Sequence, residues 1–364
     1  MNSNNIYIAE IEKIIPTQYA PDYVADHLYP EYLYGKDINR MAKKLACKFG
    51  IQSKSSVIDY EQYPHIVVSD AANQPLNWGV TLVDKLCTTI AKTEIGFFAL
   101  NYNISPHVDV LPNLASQISK KAGLDHLDYN EEIPYYGCAS SVYAMEKAVE
   151  YCKQHDRAAI VFTFDQCTVG CLQSEASYED FNKMLVSNLL FADAGAAMLI
   201  IPESMRYRYE RPLMRIDDIE TKYQAGDLIV MRNRNFLMSS DLKKIMPRLV
   251  SELLVKPFLA KHHLNVSDVE EWSIHQGGRE VLRTFCEPEV LGLTDQQVET
   301  SMKKFNEYGN TSSASCLLVL ESFFNDPNII HSPKDCIMLA FGAGYYLGIV
   351  LYQWDFQSPQ RLHN

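Results

Sequence analysis

Three residues carry side chains that could act together on a substrate, and each stands where a strand gives way to a helix. Cys138, in Gly137-Cys138-Ala139-Ser140, follows a turn glycine and precedes a stretch with helical apolar spacing. A thiol there lies at the positive end of the helix dipole, which favours the nucleophilic thiolate. His275 sits in Ser-Ile-His-Gln-Gly-Gly, where the glycines permit a tight turn and close approach of a ligand. Asn310, in Tyr-Gly-Asn-Thr-Ser-Ser, reads either as a turn or N-cap residue or as a neutral hydrogen-bond donor. Taken singly, a cysteine or histidine is more often a packed core residue. A nucleophile, an imidazole and an amide at three such junctions form a candidate catalytic set. A fourth turn, Phe341-Gly342-Ala343-Gly344, could offer backbone N–H groups to an oxyanion, or simply bend the chain between paired strands.

The elements that must position these residues alternate. Buried strands are expected at Ile95–Asn101, Ala158–Phe164, Ala194–Ile201, Trp272–His275, Ile337–Phe341 and Tyr345–Trp354. Helices are expected at Pro112–Gly123, Ser140–Lys153, Leu242–His262, Gly278–Phe285 and Ser312–Phe324. This alternation predicts an α/β protein. One internal likeness stands out: Gly137-Cys138-Ala139-Ser140-Ser141 and Gly309-Asn310-Thr311-Ser312-Ser313 each open an apolar helix. Either small residues recur by chance at helix starts, or a duplicated fold puts Cys138 and Asn310 at equivalent positions near a shared axis.

Composition narrows the class. The 364 residues carry a net charge of −12, and 47% are apolar, as in a packed globular chain. The acid excess argues against nucleic acid or an anionic membrane as partner. Apolar runs are far shorter than the roughly 20 residues of a membrane span, and no secretory leader is expected at the N-terminus. Nine scattered cysteines read as reduced thiols of a cytoplasmic protein, eight of them packing residues. Cys167 and Cys171 lack a second ligand pair, which disfavours zinc. Within the acidic chain, residues 232–261 are basic: Arg232, Arg234, Lys243, Lys244, Arg248, Lys256 and Lys261 stand against Asp241 and Glu252. That stretch reads as a docking face for an acidic carrier or for phosphates, or as a solvated amphipathic helix.

With these residues in view, the chain resembles the thiolase-fold condensing enzymes, in the ketoacyl-carrier-protein synthase III and type III polyketide synthase group. The resemblance runs over about residues 40–354. It is carried in order by Phe49-Gly50-Ile51, Gly137-Cys138-Ala139-Ser140, Phe191-Ala192-Asp193-Ala194-Gly195-Ala196, His275-Gln276-Gly277-Gly278, Tyr308-Gly309-Asn310-Thr311-Ser312-Ser313-Ala314 and Phe341-Gly342-Ala343-Gly344. It implies a thiolase-like fold: two pseudo-symmetric halves, here 1–205 with the cysteine and 206–364 with the histidine and asparagine, in a five-layered αβαβα sandwich. It further implies a homodimer, no metal or redox cofactor, and acyl-CoA or acyl carrier protein as partner. Cys138 would be acylated from a thioester. His275 and Asn310 would stabilise the enolate of a decarboxylating malonyl- or β-ketoacyl-type extender, and the N–H groups of Cys138 and Ala343 would hold the oxyanion. Lys243, Lys244, Arg248, Lys256 and Arg279 are the candidate carrier or CoA contacts. Departures from the family pattern are Ala192 and Ala194 for glycines, Glu280 where the synthases have a carrier-binding Arg, and the Tyr345-Tyr346 pair. They point to a specialised metabolite pathway. Acyl transfer from Cys138 without decarboxylation, and a subunit of a heteromeric ketosynthase, are the alternatives.

Overall fold

The computed structural model describes residues 5–106, 110–170, 178–232, 235–325, 327 and 333–356. The strands are β1 (Ile6–Ile14), β2 (Gln18–Tyr19), β3 (Lys54–Ser55), β4 (Ile95–Asn101), β5 (Tyr129–Glu132), β6 (Ala158–Gln166), β7 (Asp193–Pro202), β8 (Leu213–Tyr223), β9 (Ile229–Arg232), β10 (Asn235–Met238), β11 (Glu271–Ile274), β12 (Asp335–Phe341) and β13 (Tyr346–Asp355). Nine of them form one run in the order β11-β12-β13-β8-β1-β7-β6-β4-β5. Strands β1 and β8 join at only three residue pairs, Ile6 to Ile8 against Met214 to Ile216, so the run folds there into two sheets. On each side a parallel pair (β4 with β6, β11 with β12) is followed by antiparallel neighbours. The order β4-β6-β7-β1 on one side repeats as β11-β12-β13-β8 on the other.

Central strands buried on both faces need continuous apolar sequence. Strands β4, β6 and β7 are buried at every position. The helices Ser140–His155 and Ser315–Asn325 are buried at most positions because both touch strands of both sheets. Helices Pro75–Leu86 and Leu114–Ala122 cover the outer face of one sheet, and helices between 242 and 308 cover the other. The result is the expected five-layered α/β sandwich.

Two expectations change in detail. The helix expected over 242–262 is broken into Leu242–Val250, a wide π-helical turn at Ser251–Val255, and Lys256–Lys261, with Pro247 and Pro257 each removing a backbone donor. The internal repeat is real but three residues out of register from the sequence likeness. The two central helices begin at Ser140 and Ser315, each after a single 3-10 turn. Tyr136 (φ −91°, ψ 24°) matches Thr311 (φ −88°, ψ 23°), and Gly137 (φ 57°) matches Ser312 (φ 52°). Cys138 is therefore equivalent to Ser313, not Asn310. The axis is marked by Ser141 Oγ, which lies 3.3 Å from the Sγ of its counterpart Cys316.

Candidate active site

The nucleophile turn is built by close backbone approach. A Cβ on Gly342 would lie 2.2 Å from the Cys138 nitrogen, and one on Gly137 would lie 2.5 Å from the Ala343 nitrogen. Only glycine at both positions lets the two turns touch, and Gly137 also has a positive φ. Cys138 and Ala343 both sit in the first turn of a 3-10 helix, where N–H groups have no intrahelical partner. The touching turns thus bring together two N–H groups that have no main-chain partner among the described residues.

His275 continues the parallel register of β11 on β12, its N–H donating to the Leu339 carbonyl at 2.8 Å. Its ring meets Phe341 edge-on at 5.3 Å. Asn310 is pinned by backbone bonds to both ends of the Phe191 segment: its N–H donates to Leu190 and its carbonyl accepts from Ala192. Its amide orientation is also fixed. Oδ1 accepts the Ser312 N–H at 2.9 Å and Nδ2 donates to the Gly277 carbonyl at 3.2 Å, leaving one amide hydrogen unassigned. Ser312, strained at positive φ, places its Oγ 3.5 Å from Cys138 Sγ.

Cys138, His275, Asn310 and Ala343 line one cavity, roofed by Phe191, Phe236 and Phe341. Its free volume is about 20 Å³, room for a water molecule but not for an acyl chain. The rings of Phe191 and Phe236 pack at 4.6 Å with their planes tilted by 35°. A second, open cavity of about 690 Å³ meets it at Met238, Leu242, Gly277 and Val281. Lys48, Lys183, Lys243 and Arg279 line that outer cavity.

Burial dominates the electrostatics. It pushes the Cys138 thiol up to about 12, only partly offset by the hydrogen bond with Ser312 and by its own backbone N–H. The expected thiolate is thus not the resting form: the cost of removing the charge from water exceeds what the helix start returns. Burial also lowers His275 to about 3, so the ring is neutral. Its Nδ1 is buried without a partner among the described residues. An unpaired lone pair costs less there than an unpaired N–H, which puts the proton on Nε2.

Of the docking candidates, Lys243 and Arg279 line the outer cavity. Gly50 makes room for the latter, since a Cβ there would lie 2.7 Å from the guanidinium carbon. Arg248 is instead paired with Glu287 at 2.5 Å, Lys256 with Glu252 at 2.5 Å and Lys261 with Asp218 at 2.6 Å. Lys244 is exposed outside the lining. Three charges of the basic run are therefore taken up by acidic partners, one within the run and two outside it. Arg234 and Cys171 lie outside the described residues. Lys48, Lys183, Phe236 and Ser312 were not singled out in the sequence; they arrive from separate elements, and only Ser312, beside Asn310, carried a local signal.

Residues 259–354 match the family model for the C-terminal part of 3-oxoacyl-[acyl-carrier-protein] synthase III. A putative chalcone synthase of Bacillus subtilis is 23% identical over 279 residues, 72% of this chain and 71% of that protein. The α-pyrone synthesis polyketide synthase-like Pks18 of Mycobacterium tuberculosis is 24% identical over 260 residues, 69% of this chain and 63% of its own length. Among solved structures, the type III polyketide synthase domain of Steely1 from Dictyostelium superposes with a TM-score of 0.80 at 16% identity, covering 96% of this chain and 99% of that one. OleA of Xanthomonas campestris, solved with bound lauric acid and lauroyl-CoA, gives 0.77 at 18% identity, covering 96% and 99%. The fold is the thiolase-like fold of these structures. In sequence and fold alike, the chain is similar to the thiolase-fold condensing enzymes of the ketoacyl synthase III and type III polyketide synthase group.

Proposed function

We propose that the chain is a decarboxylative ketosynthase of specialised polyketide or fatty-acid-derived metabolism, with Cys138 as nucleophile and His275 and Asn310 as carbonyl donors. The observation that carries this reading is the meeting of Cys138, His275, Asn310 and Ala343 around one cavity. In the first half-reaction Cys138 sulfur attacks a thioester carbonyl. The tetrahedral oxygen lies against the N–H groups of Cys138 and Ala343, the donor's carbon–sulfur bond breaks, and the thiol proton passes to the departing thiolate. In the second, the extender's thioester oxygen accepts from His275 Nε2 and Asn310 Nδ2. Its carboxylate leaves as carbon dioxide, and the electron pair stays as an enolate. The enolate carbon bonds to the acyl carbonyl, and Cys138 leaves as a thiolate that takes a proton from water. A neutral histidine suits this step, because it must donate without first being charged.

The donor is a CoA or carrier-protein thioester that enters through the outer cavity, with Lys243 and Arg279 meeting its phosphates. No metal or redox cofactor enters either step. We assign the nucleophile turn to a first half, residues 1–205, and the two donors to a second, residues 206–364. The sheet edge at β5, where Tyr129 and the nearby Tyr135 are exposed, suits a second copy, giving a homodimer.

Intact mass after incubation with acyl-CoAs tests the assignment: an acyl gain that Cys138→Ala abolishes is expected, and no adduct from any donor refutes it. Asn310→Ala is expected to keep acylation while cutting carbon dioxide release from malonyl-CoA by about 10²-fold or more. Equal loss of both steps refutes the division of roles.

A further inference from the structure

One buried carboxylate touches the Asn310 turn directly and reaches the nucleophile turn through a single side chain, and it takes no part in the steps above. Asp165, near the end of β6, is fully buried. Its Oδ1 accepts from the N–H groups of Asn103 (2.7 Å) and Ile104 (2.6 Å). Its Oδ2 accepts from Asn103 Nδ2 (3.0 Å), the Ser313 N–H (3.1 Å) and Ser313 Oγ (2.6 Å). Five donors converge on one side chain, a demand that a carboxylate meets and an amide, with one oxygen, does not.

The donors lead outward to the chemistry by two routes. Asn103 Nδ2 also donates to the Gly137 carbonyl at 3.0 Å, the group that immediately precedes Cys138. Ser313 immediately follows Ser312, whose Oγ faces Cys138 Sγ and whose N–H orients the Asn310 amide. The two turns come from opposite halves of the molecule, and no covalent link holds them in register. We propose that Asp165 is a positioning residue, a clasp that fixes the nucleophile turn through Asn103 and the Asn310 turn through Ser313.

This rests on the reading of Cys138 and Asn310 above. A merely structural carboxylate would, when its contacts are lost, loosen both turns alike. A clasp with two arms separates them. The test compares the full-length wild type with Asn103→Ala and Ser313→Ala, following acyl-CoA loading of Cys138 by intact mass and malonyl-CoA decarboxylation by carbon dioxide release. Asn103→Ala is expected to slow acylation at least tenfold with a smaller effect on decarboxylation. Ser313→Ala is expected to do the reverse. Both should leave the KM for acyl-CoA within about twofold, because a displaced reacting group lowers rate rather than binding. Asp165→Asn should lose both steps; if it does not fold, the two single-arm variants decide. Equal factors on both steps, or both steps within twofold of wild type, overturn the clasp. A wild type that takes no acyl group overturns the reading of Cys138 and the clasp with it; an active wild type with unaltered variants overturns the clasp alone.

Discussion

Replacing Gly342 with alanine isolates the contact on which the oxyanion site depends. Gly342 has an extended backbone (φ −164°, ψ −164°) that alanine adopts freely, so the substitution brings no torsional penalty. Its cost is contact alone. The new Cβ would lie 2.2 Å from the Cys138 nitrogen, 3.0 Å from the Gly137 carbonyl carbon and 3.1 Å from the Cys138 Cα. Ordinary carbon contacts are about 3.5–4.0 Å, so the two backbones must part by roughly 1 Å or more. Both are rigid, since the neighbouring atoms are main chain and not the ends of flexible side chains. A displacement of about 1 Å at reacting groups costs about 10²-fold in rate, and loss of one oxyanion donor about 10²–10³-fold. Gly342→Ala should therefore lower kcat for acyl transfer by about 10²–10³-fold, lower stability by about 1–3 kcal/mol, and leave the KM for acyl-CoA nearly unchanged. Gly35→Ala is the control. Its φ of 82° is strained for alanine but nothing lies within 4 Å, so it should cost about 1–2 kcal/mol and leave kcat intact. Steady-state kinetics beside thermal melts read both quantities. A Gly342→Ala enzyme within fivefold of wild-type kcat would refute the argument that these touching turns form the site.

Three further outcomes follow from the same site. With its thiol held up at about 12, Cys138 should be alkylated by iodoacetamide at a rate rising about tenfold per pH unit from pH 6 to 9; a plateau below pH 8 would show a preformed thiolate–imidazolium pair instead. His275 is lowered to about 3 in the fold and lies near 6.5 in an unfolded chain, so the unfolded chain binds the extra proton between those values. Its stabilising contribution is complete above about pH 6.5 and is lost as pH falls toward 3, by up to about 1.4 kcal/mol per unit, and His275→Gln should flatten that part of the urea-melt profile; an unaltered acid limb counts against a buried neutral ring. Finally, Lys243→Ala or Arg279→Ala should raise the KM for acyl-CoA about fivefold in a salt-dependent way, the effect of roughly 1 kcal/mol at an exposed contact, while Lys256→Ala does nothing measurable. Equal effects at all three would return the docking face to the whole basic run.

Much of the architecture was legible because its signals are local. The fully buried runs at 95–101 and 193–202 can be little else than central strands, and Asn113 and Gly123 mark the ends of the helix between them as capping residues do. Cys138, His275 and Asn310 were recognisable because turn glycines flank them; a strand ends at His275 as expected, whereas Asn310 follows the helix Asp295–Tyr308 and not a strand. The register of the internal repeat was not, since small residues at a helix start look alike whichever turn they occupy. It took matching dihedrals at Gly137 and Ser312 to align the halves. The choice between a docking face and a solvated helix for the basic run at 232–261 was not legible for a related reason: a charge's neighbours are set by packing, and Glu287 and Asp218 lie about 40 residues from Arg248 and Lys261 in sequence.

Which residues could react, and which elements would carry them, was set along the chain, because side-chain chemistry and hydrophobic period are properties of short segments. Only the tertiary structure decided their state. Burial made the cysteine a thiol and the histidine neutral, two packed phenylalanines reduced the inner cavity to the size of a water molecule, and Asp165 linked two distant turns through Asn103 and Ser313. Desolvation and convergent hydrogen bonding depend on what lies across space from a residue, and neighbours in the chain do not specify that.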